Sequence, residues 1–198
     1  GQVVLRFFLG MALGFSLAVP PGPMNALIAA ESLRSPRHGT LVGAGAMTAD
    51  AILMLISLLV YQLIKPFVDY IYLAGGTIMM YLAYGIMRSA PARIGGKPSV
   101  SYVKGVMMGI TNPFQVGWWV TAGLSFISVF GIESVAGLFT AIIIWITVFP
   151  VLVNLGGRYG GSTAFTIIKI ISAVAIIGFG IYFLAIGVDS LIKQALFH

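Results

Sequence analysis

An aspartate and several amides stand deep inside the apolar segments of this sequence. Asp50 lies 13 residues after Arg37 and 15 residues before Lys65, which along a helix is about 20 Å from either charged end. A charge at that depth costs at least about 2.5 kcal/mol on membrane-insertion scales. We therefore predict that Asp50 binds a substrate or a proton. The alternative is a structural aspartate that accepts a hydrogen bond from the amide of a broken helix.

Two apolar segments contain helix breakers that an amide side chain follows at the same offset. Residues 20–25 read Pro-Pro-Gly-Pro-Met-Asn, and residues 112–115 read Asn-Pro-Phe-Gln. Proline lacks an N–H and clashes with the preceding turn, and the backbone groups it frees survive in lipid only where they line a cavity. Pro23 and Pro113 lie 90 residues apart. Broken helices at corresponding positions of two halves indicate the binding site of a transporter.

The half-helix after each break should present unbonded N–H groups and the positive end of its dipole. That arrangement suits a small anionic group such as a carboxylate, while Asp50 supplies the charge that an ammonium group needs. Together they complement a zwitterion. We add Asn25, Gln115 and Thr48 to the candidate substrate site as polar residues at membrane depth, with an interhelical hydrogen bond as the alternative for each. Asn25 and Gln115 are favoured because each follows the proline of its half by two residues. Asp50 is also the candidate for proton coupling, since it could take up a proton when empty and release it when an ammonium binds.

The composition places the chain in the class of integral membrane proteins. Apolar residues make up 59% of it and charged residues 8%, whereas soluble domains are roughly one quarter charged. The chain has no cysteine, so disulfides and thiolate metal sites are excluded. We predict no catalytic residues, no metal site, no cofactor and no nucleic-acid partner, and we expect the net charge of +6 to lie at the membrane surface.

The apolar periodicity predicts six membrane spans, at about residues 4–32, 39–64, 67–88, 101–128, 133–154 and 164–192. All should be helical, because an open sheet does not survive in lipid. Three spans in each half would invert the second half relative to the first. We therefore predict one all-α transmembrane transporter domain over residues 1–198, with repeat 1 at about 1–90, repeat 2 at about 100–198, and the first and fourth helices broken.

The distribution of lysine and arginine predicts the orientation. The N-terminal end, the second and fourth loops and the C-terminus hold three such residues, Arg6, Lys65 and Lys193. The other three loops and the adjoining helix ends hold eight, which are Arg34, Arg37, Arg88, Arg93, Lys97, Lys104, Arg158 and Lys169. By the positive-inside rule the second group is cytoplasmic, so both termini should face outward.

Small and polar residues form one stripe along the second predicted span. Gly39, Gly43, Ala46, Asp50 and Ser57 recur at three-, four- and seven-residue intervals, which places them on one helix face. Small residues let a neighbouring backbone approach closely. We therefore predict that this face packs inside the bundle.

The other carboxylates stand near predicted span ends. We interpret Glu31, Asp69, Glu133 and Asp189 as solvated terminal charges, with Glu31 forming a surface ion pair with Arg34 three residues later.

The sequence resembles the lysine exporter (LysE) family of amino-acid efflux proteins. The resemblance rests on Gly-Pro-Met-Asn at residues 22–25, on Asp50 after a glycine-rich run, and on Asn-Pro at residues 112–113. It covers essentially the whole chain. It implies a six-helix carrier in a prokaryotic plasma membrane, often dimeric, that exports amino acids or related metabolites on a proton or ion gradient. The site residues that it implies are Gly22, Pro23, Asn25, Asp50, Asn112 and Pro113. Phe114 departs from the lysine that many members carry after Asn-Pro.

Three other functions remain as alternatives. A metal-cation exporter would need several oxygen ligands or His and Cys, whereas the membrane interior of this chain offers one carboxylate. An enzyme would need a catalytic set that we do not find at membrane depth. A membrane-assembly or lipid-handling role is the third. Trp118, Trp119 and Trp145 are interpreted as packing residues, although Trp118 or Trp119 could close a cavity as a gate.

Overall fold

The computed structural model describes residues 1–88 and 97–197, and every regular element in these ranges is helical. The helices are α1 (Gln2–Ala18), α2 (Pro23–Ser32), α3 (Pro36–Ile64), α4 (Val68–Arg88), α5 (Pro98–Thr111), α6 (Pro113–Trp118), α7 (Leu124–Tyr159) and α8 (Gly161–Phe197). A short 3₁₀ turn, Lys65–Phe67, joins α3 to α4, and a π-helical turn, Trp119–Gly123, joins α6 to α7. The all-α prediction is confirmed. Arg93 lies outside the described residues.

Four helices among the described residues are long and apolar enough to cross a membrane. They are Pro36–Leu59 within α3, the whole of α4, Val129–Tyr159 within α7, and α8. The bent pair α1 and α2 makes a fifth if the two helices form one span. The fourth span, residues 101–128, which was predicted to be broken, is divided between α5, α6, the π-helical turn and the start of α7.

The first predicted break is a sharp corner. α1 ends at Ala18, α2 begins at Pro23, and the two helices are bent by 79°. Proline fits the first position of α2, where its missing N–H would have no intrahelical partner in any case. Four residues therefore interrupt the apolar segment where the sequence predicted an interruption.

The second break is much shorter than the first. α5 ends at Thr111, α6 begins at Pro113, and Asn112 between them has an extended conformation (φ −77°, ψ 111°). The Asn112 side chain accepts a hydrogen bond from the Phe114 N–H at 3.1 Å, which caps α6. Capping lets the chain re-enter a helix after a single residue.

The predicted fifth span begins at a break inside α7. Gly131 has φ +74° and ψ −164°, a conformation that separates the first turns of α7 from the long helix behind it. Residues with a side chain are strained at positive φ, which explains glycine at this point.

The helices pack in three long pairs, α4 with α8, α1 with α7, and α3 with α5. Glycines bring the paired backbones together, for example Gly105 of α5 against the Val42 backbone of α3. All five residues of the predicted small-residue stripe on α3 are buried. The prediction that this face packs inside the bundle is therefore confirmed.

Candidate functional site

A cavity of about 340 Å³ lies between the two breaks. The first break contributes residues 20–25 and the second contributes Asn112, Phe114 and Gln115. Gly43, Ala46 and Asp50 of the α3 stripe form part of its wall, and Trp145 and Ile146 of α7 form another part. Its volume is within the range of small-molecule sites, roughly 300–1,000 Å³.

Asp50 supplies the negative charge of the cavity and is 4% exposed. Its Oδ1 accepts hydrogen bonds from Gln115 Nε2 at 2.7 Å and from Trp119 Nε1 at 2.8 Å. Gln115 Nε2 also donates to the Ala46 carbonyl oxygen at 3.1 Å, so this amide is held firmly against α3. Both hydrogen bonds that the described residues make to Asp50 end on Oδ1, which leaves Oδ2 available to a ligand.

Asn25 stabilises the first break. Its Nδ2 donates to the carbonyl oxygens of Ala18 at 2.7 Å and Pro20 at 3.0 Å, which belong to the end of α1 and the loop behind it. Its Oδ1 accepts a hydrogen bond from Trp145 Nε1 at 3.0 Å. These carbonyl groups lose their helical partners at the break, and the Asn25 amide supplies hydrogen bonds in their place. Asn25 thus holds the loop open and ties it to α7.

The two half-helices differ in what their N-termini offer. Gly22 precedes α2, and no side chain caps its first N–H groups. At α6 the Asn112 side chain already accepts from the Phe114 N–H, and the helix spans only 6 residues. The first turn of α2 therefore lines the cavity with N–H groups that no side chain caps, an arrangement that suits an anion better than the capped start of α6.

The remaining predicted site residues have structural contacts. Pro113 is buried beside the cavity but is not among the residues that line it. Thr48 also lies outside the lining, since its hydroxyl bonds with the Tyr102 hydroxyl at 2.8 Å and donates to the Ala44 carbonyl oxygen at 3.1 Å. The structure thus brings Gly22, Pro23, Asn25, Asp50, Asn112 and Gln115 together around one space.

Two tryptophans contribute more to this site than the sequence indicated. Trp119 is fully buried and bonds to Asp50, and Trp145 bonds to Asn25 and stacks on Phe149 at 4.7 Å between ring centres. Trp119 follows Gln115 by one helical turn, so their shared face was readable from the spacing. No local signal pairs Trp145 with Asn25, because 120 residues separate them.

Glu31 is buried rather than solvated, which makes the predicted surface position wrong. The predicted pair with Arg34 forms, with 3.0 Å between Arg34 Nε and Glu31 Oε2. Lys104 of α5 also pairs with Glu31 Oε1, and the carboxylate side chain is only 4% exposed. The charge is buried because α5 packs across the end of α2, which the sequence does not reveal. Asn154 of α7 donates to the Ser32 carbonyl oxygen at 2.9 Å beside this cluster.

Metal ligands are not gathered in the part of the chain that the structure describes. No group of three or more His, Cys, Asp or Glu side chains lies close enough to hold an ion there.

Membrane-length apolar helices packed around an internal cavity define a multi-pass membrane protein. The family model described as LysE type translocator matches residues 15–187, so the chain belongs to the LysE family. It is also similar to "Putative amino acid efflux protein YcgF" of Bacillus subtilis (strain 168), with 29% identity over 128 residues. That match covers 59% of this chain and 61% of the relative, about three fifths of its length. No solved structure matches the chain.

Proposed function

We propose that this protein is a secondary active exporter of amino acids or closely related small zwitterionic metabolites. The observation that carries the proposal is the cavity between two broken helices, in which Asp50 is the only charged residue among the described lining residues. Membership in the LysE family and the similarity to a relative named as a putative amino acid efflux protein support efflux of amino acids.

The cavity offers a separate group for each charge of a zwitterion. Asp50 Oδ2 would accept from the substrate ammonium group, while Gln115 and Trp119 hold Oδ1 and so fix the carboxylate in place. The uncapped N–H groups of α2 would bind the substrate carboxylate. Gly22 and Pro23 shape this helix end, and Asn112 fixes the opposite wall. Binding of the ammonium and protonation of Asp50 compete for the same oxygen, which would couple export to proton entry.

The helix packing supports two inverted three-helix repeats with the first and fourth spans broken. If each helix is replaced by its counterpart in the other repeat, the pair α1 and α7 becomes the pair α5 and α3. Both pairs are among the three most extensive helix contacts in the bundle. The break amides follow the same rule. Asn25 bonds to α7 of the other half, and Gln115 bonds to α3 of the other half. Alternating access would then be a rocking of the two halves around the cavity.

Ligand-dependent stability of the purified protein tests the proposal against metal export. A ligand that binds only the native state raises apparent stability by mass action, about 2.7 kcal/mol at one hundred times its Kd. We expect millimolar neutral amino acids to raise the melting temperature and divalent cations to leave it unchanged. Asp50→Asn serves as the control, because it should remove the amino-acid effect. Stabilisation by a metal and by no amino acid would contradict the proposal.

We further propose that both termini face outward from the plasma membrane of a prokaryote. The contacts place Gln194 beside Asp69 at one end of the bundle, with 2.7 Å between their side chains. They place Glu31 beside Lys104 at the end that carries more basic residues. This grouping agrees with the loop sides predicted from the charges. Lipids would cover the apolar surface, and a homodimer is the proposed assembly.

Cysteine labelling in intact cells checks this orientation. The chain has no cysteine of its own, and Ser99, Ser162 and Gln194 are all exposed. Single cysteines at Ser99 and Ser162 should be protected from an impermeant thiol reagent, whereas one at Gln194 should react. Permeabilised cells, in which all three should react, give the control. External labelling of Ser99→Cys and Ser162→Cys would reverse the orientation.

A further inference from the structure

A second cavity lies directly beside the first. It is a partly open recess of about 480 Å³ that is lined by α2, α7, α8 and the first break. We call it the side chamber. Its wall is apolar except for Asn25 and Ser172, and it contains such residues as Ala29, Phe149, Ile171, Ala175 and Phe179.

The two cavities share the wall formed by Pro21, Gly22, Asn25 and Trp145. Gly22 has no side chain there, and a Cβ at this position would meet no heavy atom closer than 4.0 Å. Pro21 lies beside Gly22 in the wall, and the side chains of Trp145 and Asn25 are joined there by a single hydrogen bond of 3.0 Å. A ligand held at Asp50 and the α2 N-terminus therefore lies next to an apolar space, and the wall between them is one layer made of the Pro21-Gly22 loop and two side chains.

Neither cavity offers a partner for a charged substrate side chain. Among the described residues that line them, Asp50 is the only charged one, and the zwitterion's own ammonium group uses it. Phe114, which lines the first cavity, packs edge to face against Phe183 at 4.9 Å and adds no polar group. An extra ammonium or carboxylate would lose its hydration without compensation.

Resting on the exporter function above, we propose that the side chamber binds the apolar side chain of the substrate and that the substrates are neutral amino acids with large aliphatic or aromatic side chains. Affinity should rise with side-chain size, by about fourfold for each methylene group that the chamber buries. Leucine, methionine and phenylalanine should be preferred over alanine, and lysine and glutamate should be poor substrates.

The test fills the chamber from α8. Ala175 lines it, whereas the neighbouring Val174 is 59% exposed and is not among the lining residues. In proteoliposomes, Ala175→Trp should reduce leucine and phenylalanine transport at least tenfold and leave alanine transport within about twofold of the unchanged protein. Val174→Trp, the matched control, should change neither. Ala175→Leu is a smaller change, to be used if the tryptophan variant does not fold. It should show the same loss of leucine and phenylalanine transport relative to alanine transport, but by a smaller factor.

Three results would overturn the inference. Equal loss of alanine and leucine transport in a folded Ala175→Leu protein would show that the chamber does not discriminate side chains. Unchanged leucine transport in Ala175→Trp would show that the chamber does not bind the substrate side chain. Loss of a co-purified lipid in the same variant would assign the chamber to a lipid chain. Lysine transport by the unchanged protein as efficient as leucine transport would refute the substrate class. Transport of no amino acid at all would contradict the exporter function itself, a result that none of these three produces.

Discussion

Replacing Asp50 with asparagine should abolish export of substrate against a gradient while leaving a folded protein. In the structure, Gln115 and Trp119 donate to Asp50 Oδ1 at 2.7 and 2.8 Å. The asparagine amide has the same shape, and its oxygen can accept the same two hydrogen bonds. It has no charge for an ammonium group and no proton to exchange. Hydrogen bonds to charged groups contribute about 1.5–3 kcal/mol, so substrate affinity should fall about ten- to a hundredfold.

The coupling effect should be as large as the effect on binding. Moving one charge across 100 mV provides about 2.3 kcal/mol, which sustains a gradient of roughly fiftyfold. Uptake into inside-out vesicles with an imposed proton gradient measures this directly. The Asp50→Asn protein should build up no substrate gradient in these vesicles. Its substrate binding should no longer respond to pH, because the amide does not titrate.

Asp69→Asn is the matched control for Asp50→Asn, since Asp69 lies outside the cavity lining and bonds to Gln194 at the end of the bundle. It should export normally. Normal uphill export by Asp50→Asn would refute the coupling role. Failure of that variant to fold would support the structural alternative for Asp50.

Replacing Lys104 with methionine should produce the largest loss of stability among the ion-pair variants. Lys104 pairs with the buried Glu31, and the two side chains are 27% and 4% exposed. Removing one partner of a buried pair costs about 3–5 kcal/mol, because a buried charge is left uncompensated. Arg34 still lies 3.0 Å from Glu31 Oε2, so we expect the lower end of that range. Equilibrium unfolding of the purified protein would measure it.

Lys193→Met provides the control for this comparison. Lys193 pairs with Asp189 one turn earlier at 3.0 Å, but these side chains are 66% and 63% exposed. Exposed pairs contribute about 0–1 kcal/mol, so this variant should unfold almost like the unchanged protein. The double replacement Glu31→Leu with Lys104→Met should regain part of the lost stability, since an apolar pair needs no charge compensation. Equal destabilisation by the two lysine variants would contradict the buried assignment of Glu31.

The sequence alone determined the features that depend on local geometry. The new helix starts at Pro23 and Pro113 fit the missing N–H and the bulk of the proline ring, which suit the first position of a helix. Pro150 lies inside α7 without ending it, so proline alone does not decide where a helix is interrupted. The ion pair of Glu31 with Arg34 follows from three-residue spacing along a helix. The buried stripe through Asp50 follows in the same way from helical periodicity and the cost of a charge in lipid.

The tertiary structure decided which of these features meet. Asp50 and Trp119 are 69 residues apart, Glu31 and Lys104 are 73 apart, and Asn25 and Trp145 are 120 apart. Each contact depends on how far one helix is rotated and shifted against another. Such rotations are set by the summed packing of many small and apolar residues, such as Gly105 against the Val42 backbone. Periodicity shows which face of a helix is buried, but the partner of that face depends on this packing.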